Sequence, residues 1–307
     1  MMIDSILTKC NTRWSAHNCG NCSDCSYGDF CPGSCDKCLD AIHNPSHAPE
    51  GAPKRKYDCV HMADFYTCKY ACRYTSEIMY AMERLQDLSS VDKLKVLSFG
   101  CGPCTDLFAI DYLQRHGAVS FYALEYRGID YSEEVWAHIH RDIKCFENDS
   151  RRIRFFYQDA CEVIHDIAKG TWTPNLVVFQ YVFSDMKKHT DAKKITEFID
   201  VFAQYFNNKV LPNSYIILND VNLGTSYGGG RDYFDYLQRK LMNVIYRKGR
   251  FCNDNATGFY QRGYPYGDDS DGEFPRNINR FNLRPWRKYS PFDTCASAQM
   301  LIKKVSS

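Results

Sequence analysis

Residues 96–106 read Val96-Leu97-Ser98-Phe99-Gly100-Cys101-Gly102-Pro103-Cys104-Thr105-Asp106. An apolar run leads into two glycines and a proline, and a helical pattern starts directly afterwards. This is how a strand that turns sharply into a helix looks in sequence. Glycine lets the backbone reverse tightly and approach a ligand closely. Many such turns use glycine for packing alone, so the flanking segments decide what this one is for.

Outward from the turn, strands and helices alternate. Lys95–Phe99 is a strand, Asp106–His116 a helix, Tyr126–Asp130 a strand and Ser132–Phe146 a helix. Ile153–Tyr157 and Leu176–Tyr181 are further strands, with a short helix over Cys161–Ala168 between them. Ile195, Phe198, Ile199 and Phe202 mark one face of the next helix, followed by a strand over Tyr215–Leu218 and a helix over Tyr233–Tyr246. Upstream, Tyr74–Leu88 fits a helix with Ser76 as its N-cap. Five strands separated by helices predict an α/β fold with a doubly wound, mainly parallel sheet. Arg280–Tyr289 and Ser297–Lys304 are expected to close it as a hairpin, and Gly249–Asn279, polar and rich in Gly and Asp, reads as an insertion loop around 249–279.

The strand ends carry the polar residues. Asp130 and Tyr131 follow the second strand, Asp159 and Ala160 the third, and Gln180 and Tyr181 end the fourth. All open onto one carboxyl edge, where ligands bind in open α/β sheets. An acid at the second strand's end suits ribose hydroxyls, and one at the third suits an adenine amino group. Helix capping is the plainer use of either.

This ordered set resembles the class I S-adenosylmethionine-dependent methyltransferases over roughly residues 74–305. Gly100 and Gly102 stand in the first two glycine places of that family's first motif, Asp130 in the place of its ribose-binding acid, and Asp159 with Ala160 in its adenine-side motif. The resemblance implies a seven-stranded sheet and a cofactor held by Ser98, Gly100, Cys101, Gly102, Asp130, Tyr131, Asp159, Ala160 and Gln180. Two positions depart from it: the family usually has an acid where Ser98 stands and often a third glycine where Cys104 stands. A nicotinamide-binding enzyme would need a three-glycine fingerprint that is absent.

Methyl transfer from a sulfonium is an in-line displacement, so the protein chiefly supplies alignment. Tyr181 and Asp185, after the fourth strand, are the expected catalytic residues, with Asp185 equally suited to cap the next helix. Asn219 and Asp220 end the fifth strand with the same ambiguity. Gly228-Gly229-Gly230 reads as a flexible turn ahead of a lid hinge, and the Cys101/Cys104 pair as small packing residues.

Cysteine is the outlier in composition. Of 16 cysteines, ten lie in the first 72 residues: Cys10, Cys19, Cys22, Cys25, Cys31, Cys35, Cys38, Cys59, Cys68 and Cys72. Short spacers let several thiolates converge on one ion, so residues 1–73 are expected to form a small irregular metal-binding module ahead of a methyltransferase domain over 74–307. Zinc is expected, with an iron–sulfur cluster as the alternative because Cys19-x2-Cys22-x2-Cys25 followed by Cys31-Pro32 is similar to a ferredoxin run. The formal net charge of +1 gives no global footprint for nucleic acid or anionic membrane. No apolar run reaches about 18 residues, so no membrane span is expected, and the start has no secretory pattern, which points to a cytoplasmic protein. A macromolecular substrate, RNA or protein, is expected ahead of a small molecule, from Arg13, Trp14 and Lys54–Tyr57 near the module. The alternatives are a methyltransferase-like binding protein without turnover and an iron–sulfur redox protein.

Overall fold

The computed structural model describes residues 1–17, 27–48, 50–85, 91–251, 266, 273–274 and 277–306. In chain order the elements are α1 (Met2–Ser15), α2 (Cys35–His43), α3 (Val60–Met82), β1 (Lys93–Phe99), α4 (Thr105–Arg115), β2 (Ala123–Asp130), α5 (Glu133–Lys144), β3 (Arg151–Tyr157), α6 (Ala160–Lys169), β4 (Leu176–Gln180), α7 (Val182–His189), α8 (Ala192–Lys209), β5 (Tyr215–Val221), α9 (Asp232–Lys240), β6 (Val244–Phe251), β7 (Glu273–Phe274) and β8 (Ser297–Lys304). Among the described residues no helix is long and apolar enough to cross a membrane.

The strands form one sheet in the order β3-β2-β1-β4-β5-β8-β6-β7. β1 to β5 pair in parallel, and β8 lies antiparallel between β5 and β6. This is the α/β, doubly wound sheet the sequence predicts, with its seven strands in the class I methyltransferase order and the two-residue β7 added beside β6. Helices cover both faces, so the central strands are apolar on both sides. Leu94 and Val96 face one core and Leu97 and Phe99 the other, an alternation repeated in β4 and β5. The chain winds from β1 outward to β3, then crosses to β4 on the far side of β1. The crevice of such a sheet lies at this switch, above the ends of β1 and β4.

Four sequence expectations need correction. The helix expected over Tyr74–Leu88 starts at Val60, with Cys59 at the N-cap, and Ser76 lies inside it, donating to the Cys72 carbonyl at 2.8 Å. Eighteen of its 23 residues are buried, so it is packed all round and shows no one-sided apolar period. The helix expected over Tyr233–Tyr246 stops at Lys240, because Asn243 takes a left-handed φ of 52° and β6 follows. The expected closing hairpin does not form: Arg284–Tyr289 is a 3-10 turn that opens on Pro285, and β8 pairs with β5 and β6. In the expected insertion, Gly249–Phe251 complete β6 and 273–274 form β7, while 252–265, 267–272 and 275–276 lie outside the described residues.

The cysteine-rich start contains helices the sequence did not reveal. In α1, Met2, Ile3, Ile6, Leu7 and Cys10 are buried, and in α2 so are Cys35, Cys38, Leu39 and Ile42. Both sets follow helical spacing. α3 runs unbroken through residues 73 and 74, and its buried residues share one core with α1, α2, α4 and the sheet.

Candidate active site

The turn after β1 is built on left-handed residues: Gly100 at φ 57°, Gly102 at 46° and Cys104 at 63°. A left-handed conformation costs a non-glycine residue about 1–2 kcal/mol, which Cys104 carries as the residue that starts α4. The turn is tied down on three sides. Cys101 N–H donates to the Ile129 carbonyl at 3.0 Å and Cys104 N–H to the Cys101 carbonyl at 2.7 Å. Gly102 N–H donates to Asp130 Oδ2 at 2.9 Å. A Cβ at Gly100 would stand 3.0 Å from Val182 Cγ2, so the turn also packs closely on α7.

Asp130 is buried at the end of β2, and its second oxygen accepts from Ser132 N–H at 3.1 Å. Burial pushes its carboxyl up to about 6, against the pull of the backbone donors at Gly102, Ser132 and Tyr131. Each oxygen keeps acceptor capacity for a ligand hydroxyl.

A cleft opens above the turn between Ser98, Gly100, Cys101, Gly102, Thr105, Asp106 and Gln180, with Tyr66 and Tyr74 of α3 across it. Thr105 Oγ1 donates to Gln180 Oε1 at 2.6 Å, and Gln180 Nε2 donates to the Tyr74 carbonyl at 2.9 Å, joining α4, β4 and α3. Asp106 brings a carboxylate beside Ser98. Its carboxylate is buried, with the Ser98 and Tyr126 hydroxyls beside it. Oδ1 accepts from Leu107 N–H and the Tyr126 hydroxyl, both at 2.9 Å, while among the described residues Oδ2 has no hydrogen-bond partner. Burial, the largest cause, raises its pKa. A buried acid with one free oxygen lines the cleft, delivered from α4 in place of the end of β1.

The fit to an adenosyl sulfonium cofactor can be judged from these groups. The donor and acceptor set suits it: two acids, a glycine turn and a polar amide at the switch point. The space does not yet suit it, because the free cavity is only about 30 Å³. Tyr66 and Tyr74 bound that space opposite the turn.

Beyond the cleft, three acids line the carboxyl edge: Asp130, Asp185 and Asp220. Asp185 lies in the first turn of α7 with its side chain 30 % exposed. Burial raises it most; Lys188 pulls it down, Asp130 and Asp220 push it further up, and it settles at about 7. His189 Nε2 lies 3.7 Å from its Oδ1. Burial and the charges of Lys54, Lys188 and Lys56 hold His189 at about 4, so the imidazole is neutral near pH 7 and the pair is not ionic. Asp220 accepts from Ser184 N–H at 2.9 Å and Val221 N–H at 2.7 Å, and burial raises it to about 6.

Tyr181 occupies the left-handed position before α7, at φ 59°. Its hydroxyl donates to Glu77 Oε2 at 2.9 Å, and its ring centroid lies 4.2 Å from that of Tyr74. Glu77 is fully buried and also accepts from Asn219, Arg73 and Ala296 N–H. The Tyr181 hydroxyl is therefore committed to an interior network joining α3, β4 and β5. Residues 43–48 and 50–57 cover the same edge: Ser132 Oγ donates to the Tyr57 carbonyl at 3.3 Å, His43 Nε2 lies 2.9 Å from the Tyr57 hydroxyl, and Lys54 Nζ donates to the Lys188 carbonyl.

The structure thus gathers Ser98, Gly100, Cys101, Gly102 and Gln180 at one cleft, with Asp130 bonded to its floor. Asp159 stands apart: it is exposed and caps α6, accepting from Cys161 N–H at 2.8 Å. Ala160 begins that helix, and Tyr131 is 52 % exposed. Sequence reasoning missed Asp106, Tyr66, Tyr74 and Glu77. The only signal was the tyrosine spacing at 66, 70 and 74, one helical face.

Cys19, Cys22 and Cys25 lie outside the described residues. Cys10, Cys68 and Cys72 are buried between α1 and α3, with Cys68 Sγ donating to the Leu7 carbonyl at 3.7 Å. Cys31 and Cys35 lie near Cys38, which faces Arg55, and Cys59 precedes α3. Among the described residues, the group of three metal-capable side chains is elsewhere: Cys101, Cys104 and His140.

No family model matches the chain, and no curated protein does. Several solved structures are similar to it. The chain is similar to the N-methyltransferase NodS from Bradyrhizobium japonicum in complex with S-adenosyl-L-homocysteine, at 11% identity and TM-score 0.44, over 76% of this chain and 88% of that one. It is similar to the plantazolicin methyltransferase BpumL, also with S-adenosylhomocysteine, at 14% identity and TM-score 0.44, over 88% and 95%. An O-methyltransferase family protein from Burkholderia thailandensis matches at 13% identity and TM-score 0.40, over 80% and 60%. At such identities and scores the likenesses add nothing on activity, and the fold stands on the chain's own strand order.

Proposed function

We propose that the chain is an S-adenosylmethionine-dependent methyltransferase. The observation that carries this is the left-handed Gly100–Gly102 turn at the β1/β4 switch, pinned to a buried acid at the end of β2. In this reading Asp130 accepts from the ribose hydroxyls and the free oxygen of Asp106 receives the ammonium of the methionine part. Gln180, fixed by Thr105 and the Tyr74 carbonyl, walls the cleft. When bound, the cofactor supplies an electrophilic methyl group. Tyr66 and Tyr74 close over the cleft and exclude water. Asp185, at about 7, takes a proton from an acceptor nucleophile near neutral pH. Tyr181 holds α7 in place through Glu77. Zinc in the cysteine-rich segment, through Cys31, Cys35 and Cys38 with Cys19, Cys22 and Cys25, would brace the cover formed by residues 43–48 and 50–57. A macromolecular acceptor, RNA or protein, would meet that cover.

Calorimetry with S-adenosylmethionine tests the proposal on folded, metal-loaded protein. Binding is expected, and Asp106→Asn should weaken it about tenfold, the worth of one charged hydrogen bond. No detectable binding to the intact protein would sink the reading.

A further inference from the structure

Cys101, Cys104 and His140 meet where the β1–α4 turn lies against α5. All three are buried, at 6%, 0% and 1% exposure. One ligand atom from each lies within 4.8 Å of the other two, and Cys101 Sγ is 3.9 Å from His140 Nε2. Bond lengths of about 2.3 Å for sulfur and about 2.0 Å for nitrogen put two ligands of a tetrahedral zinc roughly 3.5 Å apart. Side-chain adjustments of up to about 1 Å bring the three atoms to tetrahedral separations around one ion.

The surroundings support this set. His140 Nδ1 lies 2.9 Å from the Tyr157 hydroxyl, and the ring stacks on Phe155 with centroids 3.8 Å apart. An imidazole that binds metal is held in this way through its other nitrogen. Gly128 leaves room for the sulfur: a Cβ there would stand 2.8 Å from Cys101 Sγ. Before an ion binds, the Gly102 carbonyl accepts from His140 Nε2–H at 2.7 Å and from the Cys104 thiol at 3.7 Å; binding moves the imidazole proton to Nδ1, which faces the Tyr157 hydroxyl, and leaves that carbonyl oxygen as the donor for the fourth position.

We propose that Cys101, Cys104 and His140 form a zinc site inside the glycine turn. Two thiolates cancel the charge of the ion, and a neutral imidazole and a carbonyl add none, so the buried site carries no net charge. Each thiol releases its proton to solvent as the ion binds. Thiolate and imidazole ligands select zinc over magnesium or calcium. The ion ties the turn to α5 and is structural, since protein atoms fill its surroundings. It depends neither on the cysteine-rich segment nor on the cofactor reading.

The test uses the full chain, reduced, stripped of metal and reloaded with ¹¹³Cd²⁺. Cadmium NMR of the wild type should show a resonance that is missing in both His140→Gln and Cys101→Ser. Those variants should bind one ion fewer per chain, while resonances from the N-terminal cysteines stay unchanged. Identical spectra and metal counts in the wild type and folded variants would overturn the proposal. Should the variants fail to fold, wild-type crystals soaked in zinc decide it. Anomalous density at the zinc edge between the two sulfurs and Nε2 supports the site; zinc bound elsewhere with none there overturns it.

Discussion

Asp130, Asp185 and Asp220 share an unusual cost at the scale of single residues: each binds its proton more tightly in the folded protein than in the unfolded chain. Their folded values stand at about 6, about 7 and about 6, against about 3.9 for a free aspartate. Between about pH 4 and 7 the folded protein keeps protons that the unfolded chain has released. Their contribution to stability is therefore greatest at the acid end of that window, falls as pH rises through it, and levels off above. Asp185→Asn removes one such group without removing a hydrogen bond in the described structure. Urea unfolding should show it more stable than wild type at pH 8, by on the order of 1 kcal/mol once partial exposure is allowed for, with little difference at pH 4. If Asp185 is the base, the same change removes the rise in turnover near pH 7. Equal stability of the two proteins at pH 8 would show that the carboxylate is not strained there. Asp130 was legible in the sequence because strand-end position alone brings an acid to the carboxyl edge. Asp106 was not, since an acid in the first turn of a helix reads as a partner for the helix dipole. Only the path of the turn shows it lying beside Ser98.

Whether an element could be read from sequence depended on whether its pattern is local. β1, β4 and β5 carry short apolar runs bounded by turn residues, and all were legible. β6 was hidden because Ile245 and Tyr246 are exposed on it, so its residues continued the helical pattern of α9. The glycine triplet after β5 is a further case of long-range packing. A Cβ at Gly229 would lie 1.9 Å from the Leu223 carbonyl oxygen, and one at Gly230 would lie 2.5 Å from the Ser184 nitrogen. Backbone blocks both positions, so this loop is packed against β5 and α7 through glycine, a role neither a flexible turn nor a free hinge describes. Gly229→Ala should destabilise the protein by about 1–3 kcal/mol, the usual range for overpacking. An unchanged midpoint in urea would mean that the loop moves away at little cost.

For the whole molecule, the described helices of the cysteine-rich start share one apolar core with a face of the α/β sheet. Density of Cys, Gly and Pro made residues 1–73 look like an appendage. That pattern concealed α1 and α2, whose buried residues follow helical spacing. α1 lies against α3, and Met2 N–H reaches Asp111 on α4 at 3.1 Å. Arg13 of α1 pairs with buried Asp64 at 2.8 Å and with Asp142 of α5 at 2.6 Å. Deleting residues 1–16 exposes the cores of α3 and α4 and leaves Asp64 with His138 as its remaining partner at 3.0 Å. Ile3, Ile6 and Leu7 alone, each worth about 1.5–3 kcal/mol on burial, approach the whole stability of a typical domain of about 5–15 kcal/mol. A chain starting at residue 17, and equally one starting at residue 74, should therefore lose cooperative unfolding and become sensitive to protease. Circular dichroism through a urea titration, beside the full chain, checks this. A residue 74–307 fragment that unfolds cooperatively within about 1 kcal/mol of the full chain would show that the sheet stands without α1 and the first half of α3. The N-terminal segment would then be an attachment to the fold and no part of its core.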